Sequence, residues 1–169
     1  MNRARKLYEQ MSQWDYTPII QTAVRECGVK SEERAKQLLK AFLQWFALIP
    51  QTTQERPIHM LRSVDRIWHA MVLNTAFYRQ FCLEFAGRFV DHNPLDVVND
   101  SKTKREYADH TLSLITQAYG RNVHPELLNL REDVTCCIGC GNVDLDQDVP
   151  AGVEFLHASP TRSVLPAIC

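Results

Sequence analysis

A helical spacing of apolar residues constrains the fold of this chain more than any other feature. Along residues 31–49 the apolar side chains recur at steps of three and four, which places them on one face of a helix: Ala35, Leu38, Leu39, Phe42, Trp45, Phe46 and Ile49. Ser31 is a typical N-cap residue, and the acidic residues that follow it suit the positive end of a helix dipole. Pro50 stops the pattern. The segment therefore predicts a long core helix.

Similar caps and periodic faces recur as far as residue 130. They predict further helices over residues 3–14, 18–28, 63–73, 76–86, 101–119 and 125–130, with Ser63 capping the helix that runs to Leu73. The helical period ends at Arg131, and residues 141–169 contain three prolines and two glycines. The sequence thus predicts an all-α, compact multi-helix domain over residues 1–130, followed by an irregular, cysteine-bearing tail over residues 131–169.

Length and charge limit the number of domains and the kinds of partner that we expect. A chain of 169 residues is expected to form one domain and to bury roughly two-thirds of its unfolded surface without the help of disulfides. The 19 basic and 20 acidic residues leave a net charge of −1. A dedicated nucleic-acid binder usually carries a basic excess on one face, so we expect no nucleic-acid partner.

Cysteine usage and hydropathy predict a cytoplasmic protein. The basic opening, Arg3-Ala4-Arg5-Lys6, leads into Leu7-Tyr8-Glu9-Gln10 rather than into the apolar run of a signal peptide. No stretch reaches the roughly 18 apolar residues of a membrane span. Six cysteines without an export signal indicate reduced thiols. We expect no contact with a membrane.

The densest group of polar and aromatic residues lies between residues 64 and 94. Asp65 and His69 are four apart on one predicted helix, so their side chains share a face. The break at Asn74-Thr75 is so short that the flanking helices are expected to form an antiparallel hairpin. The hairpin brings Tyr78 and Cys82 alongside His69, and the segment past Gly87 returns towards Asp65.

This return predicts that His92 meets Asp65 and His69. A carboxylate and two imidazoles, with the Cys82 thiolate or a water completing the shell, form a ligand set suited to zinc or another divalent first-row metal. The alternative is structural: Asp65 and His69 form a hydrogen-bonded pair that fixes the loop of His92. The neighbouring aromatic residues Trp68, Tyr78 and Phe81 are then ordinary core.

The spacing Asp65-x-x-Trp68-His69, followed by Leu73, Tyr78, Phe81-Cys82, Gly87, His92-x-Pro94 and a helix ending at Tyr119-Gly120, resembles the "glycine-rich domain-containing protein-like" family. The resemblance covers roughly residues 60–125 and implies a compact helical domain without an established reaction. Family members often carry a second histidine two residues after the first. Met71 stands there in this chain, which removes one ligand that the resemblance would imply.

A second candidate site lies in the tail. Cys137-Ile138-Gly139-Cys140-Gly141 has the form of a zinc knuckle. One knuckle supplies two ligands and a structural zinc needs four, so His124, His157 and Cys169 are the candidates for the rest. The alternatives are a redox pair, a disulfide to Cys169, or plain surface thiols.

Two functions of different classes follow. The first, which the sequence favours, is a non-catalytic helical interaction module whose tail over residues 131–169 engages a protein partner. The second is a metal-binding domain in which Asp65, His69 and His92 hold a divalent ion. An open coordination position there would allow hydrolytic chemistry by acidifying a bound water. The sequence does not decide whether the protein is an enzyme.

Overall fold

The computed structural model of the chain describes residues 2–52, 58–93, 101–131 and 138–139. Within these ranges the backbone is mostly helical, and the prediction of an all-α, multi-helix fold is confirmed. The six helices are α1 (Arg3–Met11), α2 (Thr17–Arg25), α3 (Glu32–Phe46), α4 (Arg62–Leu73), α5 (Thr75–Ala86) and α6 (Ser101–Tyr119). Short 3-10 turns cover Ile49–Gln51, Gly120–Asn122 and Pro125–Asn129.

Local sequence explains where most helices begin and end. The Ser31 hydroxyl accepts a hydrogen bond from the Arg34 backbone N–H at 3.2 Å, which caps α3 as predicted. Gly87 ends α5 with a φ of +72°, a left-handed conformation that favours glycine. The predicted cap at Ser63 is wrong. α4 begins one residue earlier, behind Leu61, and the Ser63 hydroxyl instead donates to Glu126 Oε1 at 2.6 Å.

The core lies where α2, α3 and α4 pack against one another and against α5. Its largest fully buried side chains are Trp45, Trp68, Tyr78, Phe42, Phe46 and Phe81. The indole rings of Trp45 and Trp68 lie 5.1 Å apart between centroids, and Trp45 Nε1 donates to the His59 carbonyl at 2.7 Å. The expectation that Trp68 is a core residue is therefore confirmed. These aromatic rings form the wall behind the polar end of α4.

A single residue, Asn74, separates α4 from α5. Its side-chain amide donates to the Ala70 carbonyl at 2.8 Å, which closes the end of α4. Trp68 and Tyr78, one on each helix, then meet side chain to side chain. This contact is the one expected if α5 folds back along α4, although the antiparallel orientation itself stays a prediction.

Three two-residue strands form a small antiparallel sheet that the sequence did not predict. They are β1 (Ile58–His59), β2 (His92–Asn93) and β3 (Ile138–Gly139), in the spatial order β1-β3-β2. Gly139 pairs with His92 on one side and with Ile58 on the other. The sheet thereby connects the segment after α5 with the segment before α4. Apart from β3, the predicted irregular tail from residue 132 onward lies outside the described residues.

Among the described residues, no helix combines the length and the apolar character that crossing a bilayer requires.

Candidate metal centre

Asp65 is a buried carboxylate at the edge of the core. It lies in the first turn of α4, beside the apolar stripe that carries Val64 and Trp68 into the core, and its side chain is 6% exposed. A buried carboxylate is costly unless hydrogen bonds or positive charge compensate it. The nearest polar groups that provide this compensation are two histidines.

His92 reaches Asp65 from a different segment of the chain. Its Nε2 lies 2.8 Å from Asp65 Oδ1, and its side chain is 13% exposed. The imidazole packs edge-on against the Trp68 indole, with 4.5 Å between ring centroids. Just before His92 in the chain, the Tyr78 hydroxyl donates to the Val90 carbonyl at 2.6 Å. His92 itself belongs to β2, which pairs with β3. His92 is thus held on three sides.

His69 completes the cluster from one turn further along α4. Its Nε2 lies 3.5 Å from Asp65 Oδ2, and its ring centroid lies 4.7 Å from that of His92. The His69 side chain is 52% exposed. The cluster is therefore closed on its core side and open to solvent at His69.

The three side chains present one donor atom each within 4.8 Å of one another. In a tetrahedral zinc shell, donors about 2.0–2.2 Å from the ion lie about 3.3–3.6 Å from each other. His92 Nε2 lies 2.8 Å from Asp65 Oδ1, and His69 Nε2 lies 3.5 Å from Asp65 Oδ2, so both imidazoles are close to a ligand separation from the carboxylate. We refer to Asp65, His69 and His92 as the candidate metal centre.

The predicted convergence of these residues therefore occurs, but it fits both functions weighed from the sequence. Without a metal, the Asp65 carboxylate still has the His92 ring as a hydrogen-bond partner, and the pair fixes β2 to α4. With a metal, the same three atoms become ligands. These distances are compatible with both the metal-free and the metal-bound cluster.

Cys82, the fourth proposed ligand, is not part of this cluster. Its thiol is fully buried in α5, beside the Tyr78 hydroxyl and the Val90 backbone. Burial raises the pKa of the Cys82 thiol, which disfavours the thiolate that a metal requires.

Met71 is also turned away from the cluster. Two residues after His69, it points about 200° around the helix from that side chain, and it is fully buried in the core. A histidine at this position would not reach Asp65 from α4. The methionine therefore removes no donor from the candidate metal centre of this chain.

The structure does not test the site predicted in the tail. Cys137, Cys140, His157 and Cys169 lie outside the described residues, so the zinc knuckle stays a prediction. His124, the other candidate ligand, accepts a hydrogen bond from the Glu126 backbone N–H through its Nδ1 and caps the turn at Pro125–Asn129. Burial lowers the pKa of His124 despite the neighbouring Glu126.

Comparison with known proteins adds a family. The UCP032817-like family model matches residues 6–126, well over half of the chain. The chain belongs to this family. Comparisons with curated proteins and with solved structures gave no significant match.

The family description states no activity, and it differs from the family that the sequence resembles, so that resemblance stays a prediction. The matched region contains all three residues of the candidate metal centre. Cys137 and Cys140 lie beyond it.

Proposed function

We propose that this protein binds one divalent first-row transition-metal ion, with zinc as the reference ion, through Asp65, His69 and His92. The observation that carries the proposal is the convergence of three donor atoms, from two separate segments, within 4.8 Å around a buried carboxylate. Two imidazoles and one carboxylate are a recurrent ligand set for zinc and for non-haem iron.

The distribution of burial supports a ligand role. Asp65 and His92 are buried side by side, and of the three residues His69 alone is about half exposed. Three protein ligands with one accessible side are typical of metal centres that keep a coordination position for water. A centre of this kind supplies an acidified water molecule when the ion is bound, so hydrolysis is the reaction class that we attach to the proposal.

The Trp68 ring and the Tyr78–Val90 hydrogen bond also support a ligand role, because they position His92 from the core side. They hold the His92 ring in place without occupying either of its nitrogens. Metal-ligating side chains need such supporting contacts, because a ligand that wanders loses affinity. The chain thus contributes a prearranged pair, Asp65 and His92, and a half-exposed third ligand at the surface.

The interaction module that the sequence favours has less support than the metal centre. That hypothesis depends on the tail over residues 131–169, of which the structure describes only Arg131 and β3. The large apolar side chains that are exposed among the described residues, Leu73, Leu83, Phe89 and Leu128, suggest no particular partner. A protein partner therefore stays a prediction.

Metal analysis tests the proposal directly. The full chain is purified without a metal-affinity tag, its metal content is measured by elemental analysis, and zinc is titrated into the chelator-treated protein by calorimetry. His69→Ala should weaken zinc binding at least about tenfold, because even groups that only orient a ligand contribute that much. His110→Ala, the same substitution on α6 outside the cluster, is the matched control.

The possible outcomes separate cleanly. Saturable zinc binding that His69→Ala reduces and His110→Ala leaves intact supports the centre. Absence of saturable binding in the wild-type protein, or equal loss in both variants, would show that Asp65, His69 and His92 serve only as a hydrogen-bonded cluster.

A further inference from the structure

A basic cavity opens between the α2–α3 connection and the start of α4. It has a volume of about 580 Å³ and is lined on its polar side by Lys30, Arg34, Arg62, Arg66, Ser31 and Ser63. This volume lies in the range of small-molecule sites, about 300–1,000 Å³. The candidate metal centre contributes none of the lining residues.

The charge of the cavity differs sharply from that of the chain. Four cationic side chains line it, and none of its described lining residues is acidic, whereas the whole chain has a net charge of −1. The cations come from two separate segments, Lys30–Arg34 and Arg62–Arg66, that the packing of α2, α3 and α4 brings together. Arg62 and Arg66 are four residues apart on α4, an arrangement of like charges that destabilises a helix surface.

Arg34 and Arg66 are anchored by the protein. The Arg34 guanidinium donates to Glu126 Oε1 at 2.6 Å, and the Arg66 guanidinium donates to the Gly28 carbonyl. Burial alone would raise the pKa of Glu126, but the hydrogen bonds from Arg34 and Ser63 outweigh it and lower the pKa. Glu126 is therefore a carboxylate at neutral pH, and it offsets one of the four charges.

The beginning of α4 adds to the positive potential. No side chain caps this 12-residue helix, because Leu61 occupies the N-cap position, and the first two helical residues, Arg62 and Ser63, line the cavity. The N-terminal end of a helix carries partial positive charge and unpaired backbone N–H groups, so it favours anions.

We propose that this cavity binds the phosphate group of a small soluble molecule. Guanidinium groups match the geometry of phosphate oxygens, and lysine provides an additional charge. The proposal does not depend on metal binding, because no residue is shared between the two sites. Lys30 is the residue of choice for testing it, since Arg34 and Arg66 also hold other parts of the fold.

Calorimetric titration of inorganic phosphate into the chelator-treated full chain tests this proposal. Lys30→Gln should weaken phosphate binding about tenfold, because it removes a charge-assisted hydrogen bond. Arg79→Gln removes the same charge from the exposed face of α5, away from the cavity. This control variant should bind phosphate like the wild-type protein.

Three results would overturn the proposal. The first is the absence of saturable phosphate binding by the wild-type protein. The second is an equal effect of Arg79→Gln, which would indicate unspecific attraction. The third is binding to vesicles containing phosphatidic acid that free phosphate does not displace, which would assign the cavity to a lipid surface. Thermal unfolding of every variant verifies that the fold is intact.

Discussion

The Trp68 indole donates its N–H to the Tyr78 hydroxyl at 2.8 Å, deep in the core between α4 and α5. The same hydroxyl donates a hydrogen bond to the Val90 carbonyl at 2.6 Å. Burial raises the pKa of Tyr78, so the hydroxyl stays neutral and keeps its proton available for this second bond. One oxygen atom thus connects both helices with the segment that leads into His92.

Tyr78→Phe should break this connection with little change of shape. The substitution leaves the Trp68 N–H and the Val90 carbonyl without their partner, and each stranded buried group costs about 1–3 kcal/mol. Urea denaturation measures the loss in free energy of unfolding. Tyr107→Phe, at a partly buried position on α6, is the control and should change stability by less than about 0.5 kcal/mol.

The same substitution should also affect the metal centre. Without the bond to Val90 the approach to His92 loosens, so Tyr78→Phe should weaken zinc binding although it removes no ligand. Unchanged zinc affinity together with lowered stability would show that β2 alone positions His92.

Trp68→Ala is expected to be among the most damaging single substitutions. The fully buried indole packs on Trp45 and on the His92 ring, and its removal should cost about 3–5 kcal/mol as a large-to-small core change. Leu73→Ala, at an exposed position on the same helix, should stay within about 0.5 kcal/mol of the wild-type protein. A loss below about 1 kcal/mol for Trp68→Ala in chemical denaturation would contradict the buried position.

The helices and the Asp65 cluster were predictable because both depend on short-range spacing. A four-residue step places Asp65 and His69 on one face. The expectation that the chain turns back at Asn74 led to the prediction that His92 lies near Asp65, and the structure has this contact. The prediction that Cys82 joins this cluster has no support in the structure, for a related reason. Counting residues from Asn74 gives the position of Cys82 along α5 but not the direction of its side chain. The thiol lies beside Tyr78, one turn earlier on the same helix.

Other features depend on long-range packing that no local pattern carries. Two-residue strands such as β2 and β3 are too short to show an alternating pattern, so the sheet beside His92 has no sequence signal. The basic cavity is similar. Lys30 and Arg62 belong to segments with ordinary composition, and only the packing of α2, α3 and α4 makes them neighbours.

Acid should weaken the connection between α3 and the Pro125–Asn129 turn. The folded-state pKa of Glu126 lies below its ordinary value of 4.5, so its ionised form stabilises the fold above that pH. This contribution is lost as the pH falls through the lower, folded-state value. Glu126→Gln should therefore be less stable than the wild-type protein near neutral pH, and the difference should shrink below about pH 4. Denaturation curves across this range measure it, and a difference independent of pH would contradict the role of the carboxylate.

The last prediction separates the structural and the metal-binding roles of the candidate metal centre. In the metal-free protein, Asp65→Ala strands the largely buried His92 ring and should cost about 1–3 kcal/mol in the free energy of unfolding. His69→Ala removes a side chain that is half exposed and lies 3.5 Å from the carboxylate, so it should cost less than about 0.5 kcal/mol.

In the presence of zinc, His69→Ala should become the more informative of the two variants. A ligand that binds only the folded state stabilises it by an amount that grows with its concentration over the dissociation constant, about 2.7 kcal/mol at a hundredfold excess. The wild-type protein should gain this stability on addition of zinc, and His69→Ala should gain less, although the two are nearly equally stable without metal. If zinc raises the unfolding temperature of both proteins equally, the ion binds elsewhere, and Asp65 serves only to fix His92 against α4.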